Sequence, residues 1–143
     1  MGEGGNDCEL ALQARKHGRM RAPFVNNKNW ILIMIIRYAF FEGEIHHGQE
    51  QAFRDFVKQR LVPLWTKFPG AQEVRVLDGS ERDEGAPTFA MALAIRYPDI
   101  DTCRKALQSD VRTLSREVTG ELLKMFTGRV HHHVFDANEY PTK

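Results

Sequence analysis

TFAMALAIRY, residues Thr88–Tyr97, alternates large side chains (Phe89, Met91, Leu93, Ile95, Tyr97) with small ones (Ala90, Ala92, Ala94). Alternation with a period of two is the pattern of a β-strand, whose successive side chains point to opposite faces. Both sets are apolar, so the segment reads as a central strand covered on each side. One face fills space; the other lets a neighbour approach closely. Upstream, Asp78–Pro87 is charged and contains glycine, as a long hairpin connection does. It joins this strand to Glu73–Leu77, where Val74 and Val76 alternate with polar neighbours as in an edge strand. Residues Gln49–Phe68 place apolar side chains at 53, 56, 57, 61, 64, 65 and 68, a helical stripe that Pro63 kinks or ends. Trp30–Phe41 is apolar on both faces and reads as the other central strand, followed by a loop over Glu42–Gly48.

Downstream, Pro98-Asp99 opens a short helix to about Leu107, and Ser109 or Asp110 caps a longer one. The longer helix carries Val111, Leu114, Val118, Leu122 and Met125 on one stripe, with Gly120 inside it and Gly128 ending it. Arg129–Phe135 is the last strand. The order is thus strand, helix, strand, strand, helix, strand. That is an α+β, ferredoxin-like βαββαβ unit: one antiparallel sheet with both helices on one face. The other face is left bare and apolar, and a partner is needed to cover it. Residues 1–29 differ in composition and read as a loosely ordered extension, with residues 30–136 as the folded domain and 137–143 as a polar tail.

The chain has 143 residues, 42% of them apolar and 27% charged, which suits one soluble domain with its own core. Its 20 basic and 19 acidic side chains give a net charge of +1, with no basic patch of the kind nucleic acid requires. The longest apolar run, Trp30–Ile36, is too short to cross a bilayer, and no secretory leader is visible. Cys8 and Cys103 form neither a disulfide framework nor a metal or redox spacing, so a cytoplasmic setting is expected. No nucleotide-binding loop, G-x-G-x-x-G fingerprint or Ser-His-Asp order occurs, which excludes the enzyme classes that depend on them.

Three stretches, PLWTKFPGAQEVRVL (63–77), PTFAMALAIRYPDIDTCRKALQSD (87–110) and LLKMFTGRVHHHVFD (122–136), carry a resemblance to the EthD-like proteins of the dimeric α+β barrel group. The resemblance covers residues 30–136. It implies a homodimer whose two sheets face one another, with a pocket between sheet and helices in each chain. Related members oxidise aromatic polycyclic substrates without metal or flavin; others bind haem, isomerise lactones or have no assigned reaction. Fold alone therefore does not choose the chemistry.

Six residues are candidates for the site. His46 lies in the loop after the first strand, where a near-neutral base can border a pocket mouth. Of His131, His132 and His133, a strand sends the outer two to one face and His132 to the other, beside Val130 and Val134. His132 is then either a satisfied core histidine or a base. A His-x-His pair can also chelate metal, but a third ligand is missing, and no metal or other cofactor is expected. Arg37 and Arg96, each followed by a tyrosine, stand late in the central strands and are expected at opposite ends of the sheet. Each either snorkels to the rim or anchors a carboxylate or phenolate. Tyr38 can donate a hydrogen bond to the same ligand, and Trp65 packs the core or lines the cavity. The function expected is binding of a hydrophobic, aromatic-type small molecule by a homodimer. It is either a cofactor-independent oxygenase or isomerase, with His46, His132 and Tyr38 catalytic and Arg37, Trp65 and Arg96 binding, or a non-catalytic ligand-binding or accessory protein.

Overall fold

In the computed structural model, which describes residues 33–143, four antiparallel strands form one sheet in the order β2-β3-β1-β4. The expectations for residues 1–29, and for the first residues of the strand placed at Trp30, lie outside the described residues. The strands are β1 (Ile33–Ile45), β2 (Glu73–Asp78), β3 (Phe89–Tyr97) and β4 (Phe126–Asn138). Between β1 and β2 run α1 (Glu50–Phe56), a π turn (Val57–Leu61) and α2 (Val62–Trp65). Between β3 and β4 lie α3 (Ile100–Leu107), α4 (Asp110–Leu122) and a 3-10 turn (Leu123–Met125). This is the α+β, ferredoxin-like arrangement, with β1 and β3 central as the sequence leads one to expect. Residues Ile33–Asn138 form one compact unit. Among the described residues no helix is long and apolar enough to cross a membrane.

The helical stripe lands in the core: Phe53, Val57, Leu61, Trp65 and Phe68 are buried against Phe41, Met91, Leu93, Ile95 and Tyr97 of the sheet. Pro63 acts through the π turn rather than through a sharp kink. A proline ring collides with the carbonyl four residues back. Here the backbone widens just before it, and the Val62 N–H bonds to the Val57 carbonyl. The two downstream caps form as expected. The Asp99 side chain accepts from the Thr102 N–H at 2.8 Å, and the Ser109 hydroxyl accepts from the Arg112 N–H at 3.3 Å.

Four expectations are corrected. First, β1 does not end at Phe41, nor does Gly128 merely stop a helix. Gly43 and Gly128 stand opposite each other in the β1–β4 ladder, at φ +146° and +150°. A Cβ on Gly128 would fall on the Glu42 carbonyl oxygen, so glycine lets the two backbones approach and the ladder continue. All 13 residues of β1 therefore pair with β4, which itself runs on to Asn138 and shortens the expected tail. Second, the longer β1 puts Arg37 opposite Ile95 and Arg96 opposite Ile36, so the two arginines lie at the same end of the sheet, on opposite faces. Third, the register slips between Phe41 and Glu42, skipping Ala90. Phe89 therefore joins the small-residue face instead of following Met91 into the core. Fourth, α4 is rotated from the stripe expected: Leu114 is 46% exposed while Ser115 is 5% exposed, its hydroxyl donating to the Arg112 carbonyl at 2.8 Å. That rotation leaves Arg112 partly buried at the edge of the inward face and Arg116 exposed.

Candidate functional site

The helices cover the face of the sheet that carries Ile35, Arg37, Ala39 and Phe41 of β1, and the same face of β4 carries Val130, His132 and Val134. Arg37 is partly buried, flanked laterally by Ile95 and Val134. Burial holds its guanidinium below the usual arginine value, and the charge of Arg112 adds to that. Burial does the same to Arg112, helped by Arg116. His132 is exposed, on the edge strand β4. Even so, loss of water around the ring, and then the charges of Arg37, Arg112, Arg116 and His131, push its pKa down to about 4. Among the described residues, no carboxylate pairs with Arg37, Arg112 or Arg116, and Arg112 donates to the Leu107 carbonyl at 3.4 Å. On the same face sits Tyr97, 0% exposed, whose hydroxyl has no hydrogen-bond partner among the described residues. Burial pushes Tyr97 up to about 12, against the pull of Arg37 and Arg112. Cys103, buried and free, completes the floor, its thiol raised by burial.

Among the described residues, no helix lies over the opposite face. Tyr38 and Phe40 stack at 5.1 Å between ring centres, Phe135 meets Tyr38 edge-on at 5.4 Å, and Phe89 lies 5.5 Å from Phe40. A polar chain crosses this aromatic surface. His131 Nε2 lies 3.1 Å from Glu42 Oε1, and His131 Nδ1 lies 2.9 Å from His133 Nε2. Arg129 reaches the same carboxylate oxygen at 3.3 Å. The hydrogen bond from His131, followed by that from Arg129, holds the Glu42 carboxyl below its usual value. If the Nε2 of His131 donates to Glu42, its Nδ1 must accept from His133, which fixes both tautomers. Arg96 lies on this face too, 3.9 Å from Glu73.

Of the six residues expected at the site, the structure brings Arg37 and His132 together on the helix side. Tyr38 and Arg96 lie on the bare side. Trp65 is buried in the core. His46 follows the far end of β1, where its ring lies 2.8 Å from the Thr127 hydroxyl and its N–H bonds to the Met125 carbonyl. A groove of about 330 Å³ between α1 and β2, lined by residues such as Arg54, Lys58, Val62 and Val76, contains none of the six. Among the described residues no group of three or more His, Cys, Asp or Glu side chains is placed to hold a metal ion. Sequence reasoning missed Arg112, Arg116 and the Tyr97 hydroxyl on the helix side and Glu42 on the bare side. The four-residue spacing of Arg112 and Arg116 was a visible signal, since it puts both on one side of α4.

Comparison with solved structures places this geometry. An ethyl tert-butyl ether D (EthD) family protein from Bacillus halodurans superposes with a TM-score of 0.57 at 18% identity, over 73% of this chain and 98% of its own. The likeness is one of fold. A dimeric protein of unknown function with a ferredoxin-like fold from Bacteroides fragilis matches at 13% identity and TM-score 0.52, over 73% of this chain and 96% of that one. A variant of SnoaB, a cofactor-independent oxygenase from Streptomyces nogalater, matches at 19% identity and TM-score 0.51, over 78% and 99%. No protein-family model matches the sequence, and no curated protein does. The EthD-like resemblance read from residues 30–136 thus agrees with the fold.

Proposed function

We propose that the protein is a homodimer, joined through its bare sheet faces, that binds a hydrophobic small molecule with an aromatic body between sheet and helices. The observation that carries this reading is the asymmetry of the sheet. One face holds Tyr38, Phe40, Phe89 and Phe135 with no helix of the described residues over them, and the other holds Arg37, partly buried, and His132, exposed on the edge strand β4. A contiguous aromatic patch of that kind is what a second copy covers. The solved neighbour described as dimeric supports the same assembly. The free, buried thiol of Cys103 suits a reducing compartment, in keeping with a cytoplasmic protein.

A catalytic reading has its own support. His132 makes no hydrogen bond among the described residues, and its low pKa keeps the ring neutral at physiological pH. A neutral imidazole beside cations can accept a proton from a bound ligand whose conjugate base those cations stabilise, as cofactor-independent oxidation or isomerisation requires. The non-catalytic reading needs only the binding.

Light scattering on the eluting protein tests the assembly. A dimer at micromolar concentration is expected, and Phe40→Glu, which puts a charge at the centre of the patch, is expected to give a folded monomer. A wild-type monomer under those conditions overturns the reading. Native mass spectrometry of the purified protein, followed by oxygen-uptake assays on the molecule retained, separates the enzyme from the carrier.

A further inference from the structure

We infer that His131 and His133 form a two-imidazole site for a first-row transition-metal dication of the copper(II), nickel(II) and zinc(II) class, on the bare face of the sheet, with the Glu42 carboxylate behind it. The inference goes beyond the reading above and does not depend on it, since both donor nitrogens belong to one chain.

Residues two apart on a strand project to the same face, so a His-x-His pair sets two rings side by side. Here the rings turn nitrogens towards each other. His131 Nδ1 lies 2.9 Å from His133 Nε2, with ring centres 5.1 Å apart and planes at 82°. Two imidazole nitrogens at bonding distance from one ion, subtending a right angle to a tetrahedral angle, stand about 2.9–3.4 Å apart. An N–H···N hydrogen bond spans the same distance, so the choice falls to the carboxylate. An ionised carboxylate only accepts. Its 3.1 Å contact through Glu42 Oε1 therefore puts the His131 proton on Nε2 and leaves a lone pair on Nδ1, aimed at His133. A carboxylate on the far nitrogen is how proteins fix the tautomer and raise the basicity of a metal-ligating histidine. Arg129 holds the same Glu42 oxygen at 3.3 Å and orients it. His133 is exposed, so water can carry its proton from Nε2 to Nδ1, and both rings then bind as neutral imidazoles.

Aromatic rings hold the two imidazoles in place. Phe40 lies 5.7 Å from His131 and 5.5 Å from His133, Phe89 lies 6.3 Å from His131, and Phe135 stacks on His133 at 6.2 Å. Side chains so confined lose less freedom on binding an ion. Imidazole donors suit copper, nickel and zinc, with affinity greatest for copper(II). Among the described residues no group of three or more His, Cys, Asp or Glu side chains is placed to hold a metal ion, so this is an open site whose remaining positions water fills. The His-x-His spacing is legible in the sequence; the carboxylate that orients it, 89 positions from His131, is not.

Calorimetric titration of copper(II) into the metal-free, full-length protein tests this. The tightest ion is expected to bind at micromolar concentration, with two imidazole nitrogens in its electron paramagnetic resonance spectrum. His133→Gln, at an exposed position where folding is least disturbed, should weaken that binding by about tenfold or more and remove one nitrogen from the spectrum. Glu42→Gln leaves both donors in place and should still cost about tenfold, the low end for losing the partner of a ligating histidine. His47→Gln, in the exposed loop after β1, should change nothing. Copper affinity that survives His133→Gln, that is untouched by Glu42→Gln, or that falls as much with His47→Gln overturns the inference. None of those results bears on the dimer or on the small-molecule reading, which have their own tests.

Discussion

Tyr97→Phe removes one oxygen atom from the middle of the fold, and its effect on stability follows from what surrounds that oxygen. A buried hydroxyl with a partner contributes about 0.5–1.5 kcal/mol, so Tyr→Phe usually destabilises by that amount. The Tyr97 hydroxyl is different: it is buried and has no partner among the described residues, so the fold bears its dehydration without recompense. Leaving such a group unsatisfied costs about 1–3 kcal/mol. The ring itself stays packed against Ile35 and the core in either residue, so no cavity term opposes the gain. The ligand-free Phe variant is therefore expected to be more stable by about 1 kcal/mol or more, at the low end of that range. In urea this appears as a higher midpoint with an unchanged slope, because the surface exposed on unfolding is the same. In a thermal scan it is a rise of roughly 4 °C or more, from the 4–8 °C per kcal/mol typical of a domain near this size. A loss of about 1 kcal/mol would refute the reasoning, since it would show that the hydroxyl is satisfied in the free protein.

Two further outcomes are expected. His132 ionises at about 4 in the fold against an unfolded value near 6.5, so between those values the unfolded chain binds the extra proton. Its contribution to stability is complete above pH 6.5 and is lost as pH falls towards 4. His132→Gln should flatten that window in denaturation profiles, and an imidazole resonance titrating near 6.5 in the native protein would contradict the assignment. Gly128→Ala should destabilise by at least about 2 kcal/mol, through positive φ and the collision with the Glu42 carbonyl, and a change under about 0.5 kcal/mol in a urea melt would refute this.

The parts of this molecule visible in the sequence are those that local pattern controls. Alternation marked β3, the 53–68 stripe found the core side of the first helical segment, and Asp99 and Ser109 announced two helix starts. Period two also put His132 on the face opposite His131 and His133. What escaped depends on pairing across distance. Gly43 and Gly128 each look like a stop when read alone, and only their juxtaposition turns them into a place where the ladder passes. One skipped residue at Ala90 moved Phe89 to the other face. The Glu42–His131 contact joins residues 89 positions apart, and Arg37 meets Arg112 only because α4 is rotated to bury Ser115 rather than Leu114. No local propensity encodes that angle; it is set by how the helix packs.

The β1–β4 ladder also bears on how the fold can be rewired. Ile33 pairs with Asn138, so the first and last residues of the folded unit are lateral neighbours, although the chain between them traverses every other element. The longest ladder in the sheet thus closes the longest loop, an ordering whose entropy must be met before the contacts can reward it. A circular permutant that links Asn138 to Ile33 and opens the chain within the exposed connection around Glu81–Gly85 would convert those 13 pairs into a local hairpin, leaving the β1–β3 ladder non-local as before and making the short β2–β3 ladder the one that closes the longest loop. Its refolding in stopped-flow should outpace that of the parent. The ends of the folded unit thus sit where the two strands of its longest ladder are farthest apart in sequence.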